Sequence, residues 1–436
     1  MASILSYLPL VNRLLAAPSE PPAVKLTPVE VFNVETNPDK RARTLKHLLR
    51  ANHVNHALLY RNLQFDNHMV YALCTAYQLG AGPEQLHYVY NEEAKLLLPW
   101  PDSPGQIAED NWVDCVGDKH YQRAFIDFFE DELALKHAYD WRKMVPEFLF
   151  HPERPLVSCL VGGLGHPLIH LAYAYEFDSR TIAVEAITQA AIQHNFLHRY
   201  TDDPSYTRPS PFSSSSPRDL FQKLSHDTRF DGLFGTPGWR NVKALFDHHE
   251  DLLLDYWNAW DLTPPQGAAS GGGNDITAHF RAAQSAAFSV VIASAAPGTA
   301  AYNLFLVHIL TTSHAVRILL PHIPARYHVL LLRQWWLLAL AVYIGMLRPK
   351  INDDWIPSEP EYLEGKGWEY AEKKAMASEW RGDAHYIKTV WMLRGAATTW
   401  GDENNRYLAG AVRFVDEFKG WVDPGYGSKE FVEWDI

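Results

Sequence analysis

The sequence predicts an all-α fold: a large single multi-helix domain over residues 25–436, with a short arm at residues 1–24 in front of it. Three observations carry this. Apolar side chains recur at three- and four-residue intervals through most of the 436 residues, which is the period of a buried helix face. No stretch alternates apolar and polar residues as a half-buried strand would, and no segment repeats with a fixed period. No low-complexity tract or charge block divides the chain, so the helices read as one domain with insertions.

Residues 40–63 carry the helical spacing. Residues 69–79 form a second helix, closed by Gly80 at the position where a left-handed residue ends a helix. After a loop at 81–83 the pattern resumes at 84–98 and stops at the proline-containing turn 99–104. Residues 121–137 are strongly amphipathic, with Phe125, Phe128 and Phe129 inward and acidic residues outward. Residues 162–167 break the chain, a helix restarts at 168–176, and another follows at 181–199. Two segments are expected to be mobile loops: 201–217, rich in Pro and Ser, and 264–274, which contains Gly271, Gly272 and Gly273. An acidic, histidine-bearing helix at 242–259 lies between them. Three helical windows fill 275–346, separated by Pro297 and by the stretch from Pro321 to Pro324. A connection rich in Pro and Asp at 349–360 leads to the last helices, at 368–394 and 401–419.

Composition narrows the function. A formal net charge of -12 excludes nucleic acid and anionic membrane as partners, because such surfaces recruit clustered Lys and Arg. The three cysteines, Cys74, Cys115 and Cys159, form no CxxC motif and no disulfide framework, which points to a reducing, cytoplasmic setting. Residues 4–17 are apolar but lack a basic leader and a convincing cleavage site, so they are expected to pack as a short helix or arm. Residues 328–347 have the hydropathy of a membrane span but enclose Arg333 and Gln334, which favours a central buried helix. The 15 Trp, 21 Tyr and 20 Phe suit a large core and an aromatic ligand pocket.

Histidine is the unusual component: 21 residues, several inside helical windows where a buried imidazole must be hydrogen-bonded or bound to metal. A metal site assembled from separate helices leaves isolated histidines and no compact motif. His68 opens the 69–79 helix, a rigid position that faces either the bundle interior or solvent. His53 and His56, three residues apart, read as a pair or as a solvated face. In the string from Gly162 to Pro167, glycines let the backbone bend and Pro167 suits a first helical turn, so His166 is held at a helix start. His170, four residues on, shares its face, but no Glu follows His166 as in a metalloprotease. The string lacks the strand and the acidic ribose partner of a dinucleotide fold. His308 sits alone on an apolar helix, as a core histidine or as a ligand, and His314 does not share its face squarely. His385 and Lys388 are three apart on one helix face, and Asp383 points elsewhere, toward a supporting or surface role. If Lys388 faces a metal, it is deprotonated, paired with an anion, or carboxylated to a carbamate; otherwise it is a solvated lysine.

His68, the Gly163–His166–Pro167 string continuing through Leu168, Ile169 and His170 to Tyr173 and Glu176, the Leu306-Val307-His308 segment and the Asp383–Lys388 segment together resemble the questin oxidase-like family. The block from Tyr121 to Asp131 adds to the resemblance, which runs from about Leu45 to Arg394. It implies an oxidoreductase of fungal aromatic polyketide pathways that opens the central ring of an anthraquinone such as questin, or of its hydroquinone, using dioxygen. It also implies a metal shell of His68, His166, His308, His385 and a carboxylated Lys388 around Fe(2+). His170 and Tyr173 are expected as catalytic groups, and Tyr173 and Trp391 as substrate-binding ones. Four imidazoles and one carbamate oxygen would leave an octahedral iron one open position, unlike the two-histidine, one-carboxylate triad. The family has been described both as non-heme iron dioxygenases and as NADPH-dependent Baeyer-Villiger enzymes. The absence of a Rossmann fingerprint gives a flavin no evident seat and favours iron, with NADPH as an external reductant and a partner reductase as additions. A non-catalytic helical scaffold, its histidines filling the core, is the third class. Departures at Ala384 and Trp391 bear on substrate choice rather than on the metal shell.

Overall fold

The computed structural model describes residues 20–264 and 274–422, and within them the fold is all-α. Its longer helices are α1 (Lys40–Asn55), α2 (Met69–Gln78), α3 (Pro83–Ala94), α4 (Gln122–Leu135), α5 (Trp141–Leu149), α6 (Gly162–Phe177), α7 (Arg180–Ile192), α8 (Arg199–Asp202), α9 (Pro217–Ser225), α10 (Arg240–His248), α11 (Glu250–Ala259), α12 (Thr277–Ile292), α13 (Leu304–Leu319), α14 (His328–Gly345), α15 (Trp368–Ala377), α16 (Ala384–Trp400) and α17 (Arg406–Glu417). Most of the expected arm at 1–24, all of 4–17, and most of the 264–274 loop lie outside the described residues. The arm's described end is tied down. Ala23 bridges to Asp275, and the Val24 N–H donates to Nδ1 of His328 at 3.1 Å.

At the centre α13 packs against α6, α12, α14 and α16, and α6 pairs with α7. α13 is buried at every position from Phe305 to Leu319, as a helix apolar all round must be. α14 belongs to the stretch Ala325–Gly345, which is long and apolar enough to cross a membrane, but 83% of that window is buried inside the protein. Its polar residues are satisfied internally: Arg333 donates to the Trp257 carbonyl at 2.7 Å, and Gln334 accepts from Leu160 N–H at 2.9 Å and donates to the Val157 carbonyl at 2.7 Å. A buried amide with both ends bonded fixes the turn at 156–160, immediately before the glycine string. Arg413, 1% exposed, does the same at the far end, donating to the carbonyls of Ile292, Ala295 and Trp355. Through Ile292 and Ala295 it satisfies orphan acceptors at the C-terminal end of α12.

Several expected elements differ. The 40–63 helix stops at Asn55, and a two-stranded antiparallel hairpin follows, pairing Leu59 with Asp66 and Tyr60 with Phe65. Its turn takes Arg61, Asn62 and Leu63 through positive φ. The hairpin is held by Gln122, whose side-chain amide bonds both backbone groups of Leu59 at 2.8 and 3.2 Å. The 242–259 helix is two, α10 and α11, split at His249, where φ falls to -136°. The 368–394 helix is likewise two, split by the turn at 378–383. The 201–217 segment is pinned rather than loose: Thr201 donates to the Ser158 carbonyl, Ser210 to the Asp255 carbonyl, and Ser214 bridges to Trp260.

The string before His166 is where backbone conformation decides the site. Gly163, Leu164 and Gly165 have φ of 53°, 59° and 80°, one left-handed turn that swings the chain into α6. A Cβ on Gly162 would lie 2.2 Å from the Gln193 carbonyl oxygen, and one on Gly165 would lie 2.4 Å from Cγ2 of Thr312 on α13. These residues are small because the α6, α7 and α13 backbones approach one another here. Gly162→Ala is therefore expected to cost roughly 3 kcal/mol through overpacking. Gly80→Ala, with φ +90° and nothing within 4 Å of the added carbon, should cost only about 1–2 kcal/mol of backbone strain. Urea unfolding midpoints of the two variants check the order.

Candidate metal centre

Four histidines from four helix segments meet in one place. The ring nitrogens of His68, His308 and His385 that could bind a cation all lie within 4.8 Å of one another, and Nε2 of His166 lies 3.2 Å from Nε2 of His68. Ring centroids are 4.7 Å apart for His68 and His385, 5.0 Å for His308 and His385, and 5.4 Å for His166 and His308.

Each ring is aimed by its other nitrogen. Nδ1 of His68 bonds the Asp66 carbonyl at 2.6 Å. Nδ1 of His166 bonds the Gly163 carbonyl and lies 3.1 Å from the Asp66 carboxylate. Nδ1 of His308 meets the Leu304 carbonyl, one turn back on α13, at 3.2 Å. Nδ1 of His385 faces Asp383 at 3.9 Å. Nδ1 is thus hydrogen-bonded in His68, His166 and His308, and Nε2 of His68 and of His166 meet only each other. In His308 and His385 that atom is buried and has no hydrogen-bond partner, a costly arrangement unless something else binds it. Four convergent imidazoles, three of them backed by a carbonyl bond and the fourth with Asp383 nearby, are a donor set that fits a transition-metal cation.

The surroundings are built with similar economy. Asn67, which precedes His68, takes over capping of α2: its Oδ1 accepts from Met69 N–H at 2.9 Å while its amide donates to Asn52 and to the Ala57 carbonyl. His68 is thus released from capping. Gln193 donates to Asp66 at 2.5 Å and orients it. Asp383 caps α16 by accepting from the backbones of His385 and Tyr386 at 2.8 and 2.9 Å, and accepts from the Trp421 indole at 2.8 Å. His385 therefore stands in the first turn of α16 rather than midway along a long helix, with Asp383 supporting it.

Lys388 is fully buried and its amine has no hydrogen-bond partner; it lies 4.7 Å from the centroid of the Tyr71 ring. Burial pulls it down from the usual lysine range to about 7, against the opposing pull of Asp383, Glu93 and Asp66. Burial likewise holds His68, His308 and His385 well below the usual imidazole value, with neighbouring cationic groups adding to it. Three carboxyls stand one layer out. Burial raises all of them, Glu93 to about 7.

The structure separates the remaining expected residues from this centre. His170 shares the α6 face with His166, but Nδ1 meets the Tyr71 hydroxyl at 3.2 Å and Nε2 meets Glu185 at 2.9 Å, so neither nitrogen is open. Tyr173 is 2% exposed, stacked on Tyr71 at 5.6 Å and bonded to Thr75 at 2.6 Å; Tyr71 stands between it and the centre, and it offers no surface to a substrate. Trp391 is half-buried and packs against Phe32 and Arg394. Tyr71, Asp66 and Glu185 were not singled out from sequence. The readable signals were an acid two residues before His68 and a lone Glu in the Ala- and Ile-rich α7.

Comparison with known proteins gives a concordant picture. A family model described as questin oxidase-like matches residues 65–393. The chain is 25% identical over 387 residues to Baeyer-Villiger oxidase GME11358 of Pestalotiopsis microspora, covering 82% of each. It is 31% identical over 153 residues to the questin oxidase of Aspergillus terreus, spanning 33% of this chain and 34% of that one. With Baeyer-Villiger oxidase mdpL of Emericella nidulans it shares 28% identity over 246 residues, 52% and 54% of the two chains.

The buried imidazoles make stability depend on pH in a defined direction. A histidine held neutral in the fold binds its proton only on unfolding, so its stabilising contribution is present above the ordinary imidazole value of 6.5 and is lost as pH falls below it. For metal-free protein, each of the three imidazoles held well below the ordinary range adds up to about 1.4 kcal/mol per pH unit to the fall in stability between pH 6.5 and 5, while Glu93, raised to about 7, opposes it. In denaturant unfolding, His308→Leu should therefore lose stability less steeply than the native chain as pH falls, by up to about 1.4 kcal/mol per pH unit.

Proposed function

This chain belongs to the questin oxidase-like family, an oxidoreductase family, and on that footing we propose that it is a non-heme iron oxygenase that opens the central ring of an anthraquinone or its hydroquinone. The observation that carries the reading is the convergence of four inward Nε2 atoms beside a buried, unpartnered lysine amine. His68, His166, His308 and His385 would hold the iron, with Lys388 as the fifth ligand in carboxylated form. Bound iron would supply the activation of ground-state dioxygen that closed-shell organic molecules do not achieve alone. The names of the relatives set aside the non-catalytic scaffold.

The chain's own residues prepare the site. The four imidazoles are neutral ligands, so a divalent cation among them lacks compensating charge. Lys388 can provide it. With its amine held near neutrality by burial, nitrogen adds to carbon dioxide, one N–C bond forms, one proton leaves, and the side chain becomes an anionic carbamate. Tyr71 lies against the lysine and excludes water from that face. Asp66, through His166, and Asp383, beside His385, orient the rings and raise their basicity, as carboxylates behind metal-bound histidines do. The aromatic substrate, dioxygen and an external reductant such as NADPH, delivered directly or by a partner reductase, complete the reaction.

The relatives named Baeyer-Villiger oxidases favour a second reading, in which oxygen is inserted beside a ring carbonyl by an NADPH-dependent route without iron. Chelation separates the two. Protein stripped of metal and assayed for oxygen uptake with questin as probe should be inactive and should recover on adding Fe(2+); NADPH-dependent turnover that survives chelation would favour the second reading.

Metal analysis of purified protein should find about one iron per chain. His308→Ala and His385→Ala should lower occupancy at least tenfold while leaving the helical circular dichroism intact. Lys388→Ala should lose iron and activity together, and carbon-13 NMR of protein equilibrated with labelled carbon dioxide should show one carbamate resonance that the variant lacks. Full iron occupancy with normal turnover in Lys388→Ala would place the fifth ligand elsewhere.

A further inference from the structure

Residues 418–422, beyond the last turn of α17, run back to the candidate centre and meet two of its helices at their capped ends. Solvent reaches the centre at His68 and His385, which are half-buried, whereas His166, His308 and Lys388 are buried. Beside His385 stands the Trp421 ring, nearly perpendicular to the imidazole, with centroids 6.3 Å apart. The indole N–H donates to Oδ2 of Asp383 at 2.8 Å, while Oδ1 of the same carboxylate accepts from the backbones of His385 and Tyr386 and so caps α16. The next residue makes the matching contact on α13. Val422 N–H donates to the Tyr302 carbonyl at 2.8 Å, and Val422 bridges to Asn303, whose Oδ1 caps α13 by accepting from Phe305 and Leu306 N–H. We infer that Trp421 is a positioning residue for the centre: with Val422 it latches the capped ends of α13 and α16 together, fixes the approach of His308 to His385, and slows the exchange of a cation held between them.

Anchoring the chain after α17 does not by itself account for these contacts, because Phe418 already does so. Its N–H donates to the Phe414 carbonyl at 3.0 Å, and its ring packs on Tyr386 at 4.7 Å and on Trp380 at 5.3 Å. The chain then reverses at Gly420, where φ is +114° and a Cβ would lie 3.1 Å from the Trp380 ring, a conformation that favours glycine. That reversal delivers neighbouring residues to the caps of two different helices, one through its side chain and the other through its backbone.

His308 is the fifth residue of α13 and His385 the second of α16, so a shift of either capped end moves a candidate ligand. α13 and α16 pack along one another, which sets how they cross. Helix ends fray nonetheless, and each cap holds only its own first turn. The latch joins the two turns. Opening it requires the loss of two hydrogen bonds, one of them to a carboxylate and so among the stronger kind, with rotation about Gly420 while Phe418 stays in place. Its purpose rests on the metal-centre reading, because a set of ligands holds a cation only while their positions are kept to within about 0.5 Å.

Backbone hydrogen–deuterium exchange of metal-free protein, read by mass spectrometry, tests the coupling. Trp421→Phe keeps an aromatic ring and loses the donor; Val422→Pro loses the backbone N–H and keeps Trp421. In Trp421→Phe exchange should be about fivefold faster at residues 385–387 and also at 305–308, which the indole N–H does not bond, with α7 at its native rate. Val422→Pro should speed exchange at 305–308 and equally at 385–387. A merely structural anchor predicts acceleration confined to the helix that each variant's lost bond served, or spread through α7 as general destabilisation. Either result overturns the latch, as does native exchange at both helices. Cobalt(II), loaded as the probe cation and followed by its visible absorption, should pass to excess EDTA about tenfold faster from Trp421→Phe than from the native chain. Equal release rates overturn the latch's hold on the cation. A native chain that takes up no cobalt refutes the metal reading and with it the latch's purpose, whereas coupled amide exchange would still support the latch itself.

Discussion

Burying several basic nitrogens at one point is the constraint around which this molecule is organised. An imidazole in a dry interior must satisfy two nitrogens, and an unpaired one costs on the order of 1–3 kcal/mol. At His68, His166 and His308 the chain meets half of that requirement with backbone carbonyls that the local fold has already placed: Asp66 at the end of the hairpin, Gly163 in the left-handed turn, and Leu304 in the preceding helical turn. At His385 the capping carboxylate of its own helix stands nearby, 3.9 Å from Nδ1. The outward nitrogen is thus fixed by structure that forms whether or not a ligand is present. Convergence of the inward nitrogens follows from where these four backbones run.

Charge is arranged in shells. Burial disfavours charge on the innermost groups: three imidazoles lie well below their ordinary range and a lysine is brought to about 7. Asp66, Glu93 and Asp383 stand behind them, and burial lifts all three above their ordinary range. Burial thus works against charge on both sides of the centre, as a low-dielectric interior demands. A cation at the centre would reverse the balance, drawing the carboxyls toward ionisation, Asp66 through the His166 ring that it meets at 3.1 Å.

The fold class was legible because helical periodicity survives across most of the chain, and the central helices α13 and α14 were readable from apolar character alone. Boundaries were less so. The helix at 40–63 was overextended because the hairpin is only two residues per strand and depends on Gln122, a residue more than fifty positions away. α5 was passed over; it carries Pro146 inside it, a residue that ordinarily ends a helix. The split at 378–383 was hidden because Asp383 looks like one more polar helix residue until its capping bonds are seen. Among the site residues, periodicity could place His308 and His385 on helices but could not group them, since nothing in a helix pattern says which faces meet. Resemblance to a family supplied the grouping. It did not supply Tyr71, whose place between the histidines and Tyr173 depends on how α2 and α6 cross.

What distinguishes the two sets of buried histidines is the partner of the second nitrogen, not burial or helix position. His166 and His170 stand one turn apart on α6, both nearly inaccessible. Nε2 of His166 has only another imidazole facing it, that of His68, whereas Nε2 of His170 already holds a carboxylate. The carboxylate comes from α7, which packs along α6 and presents Glu185 to His170 but not to His166. One acidic residue on a neighbouring helix therefore decides that the first histidine can serve a cation and the second cannot. The same carboxylate bridges His170 to His53, and so the substitution that would free His170 for a ligand would also leave His53 facing a single acid. The two roles are separated by one side chain, which is why spacing on α6, identical in kind for ligand pairs and for this pair, could not tell them apart.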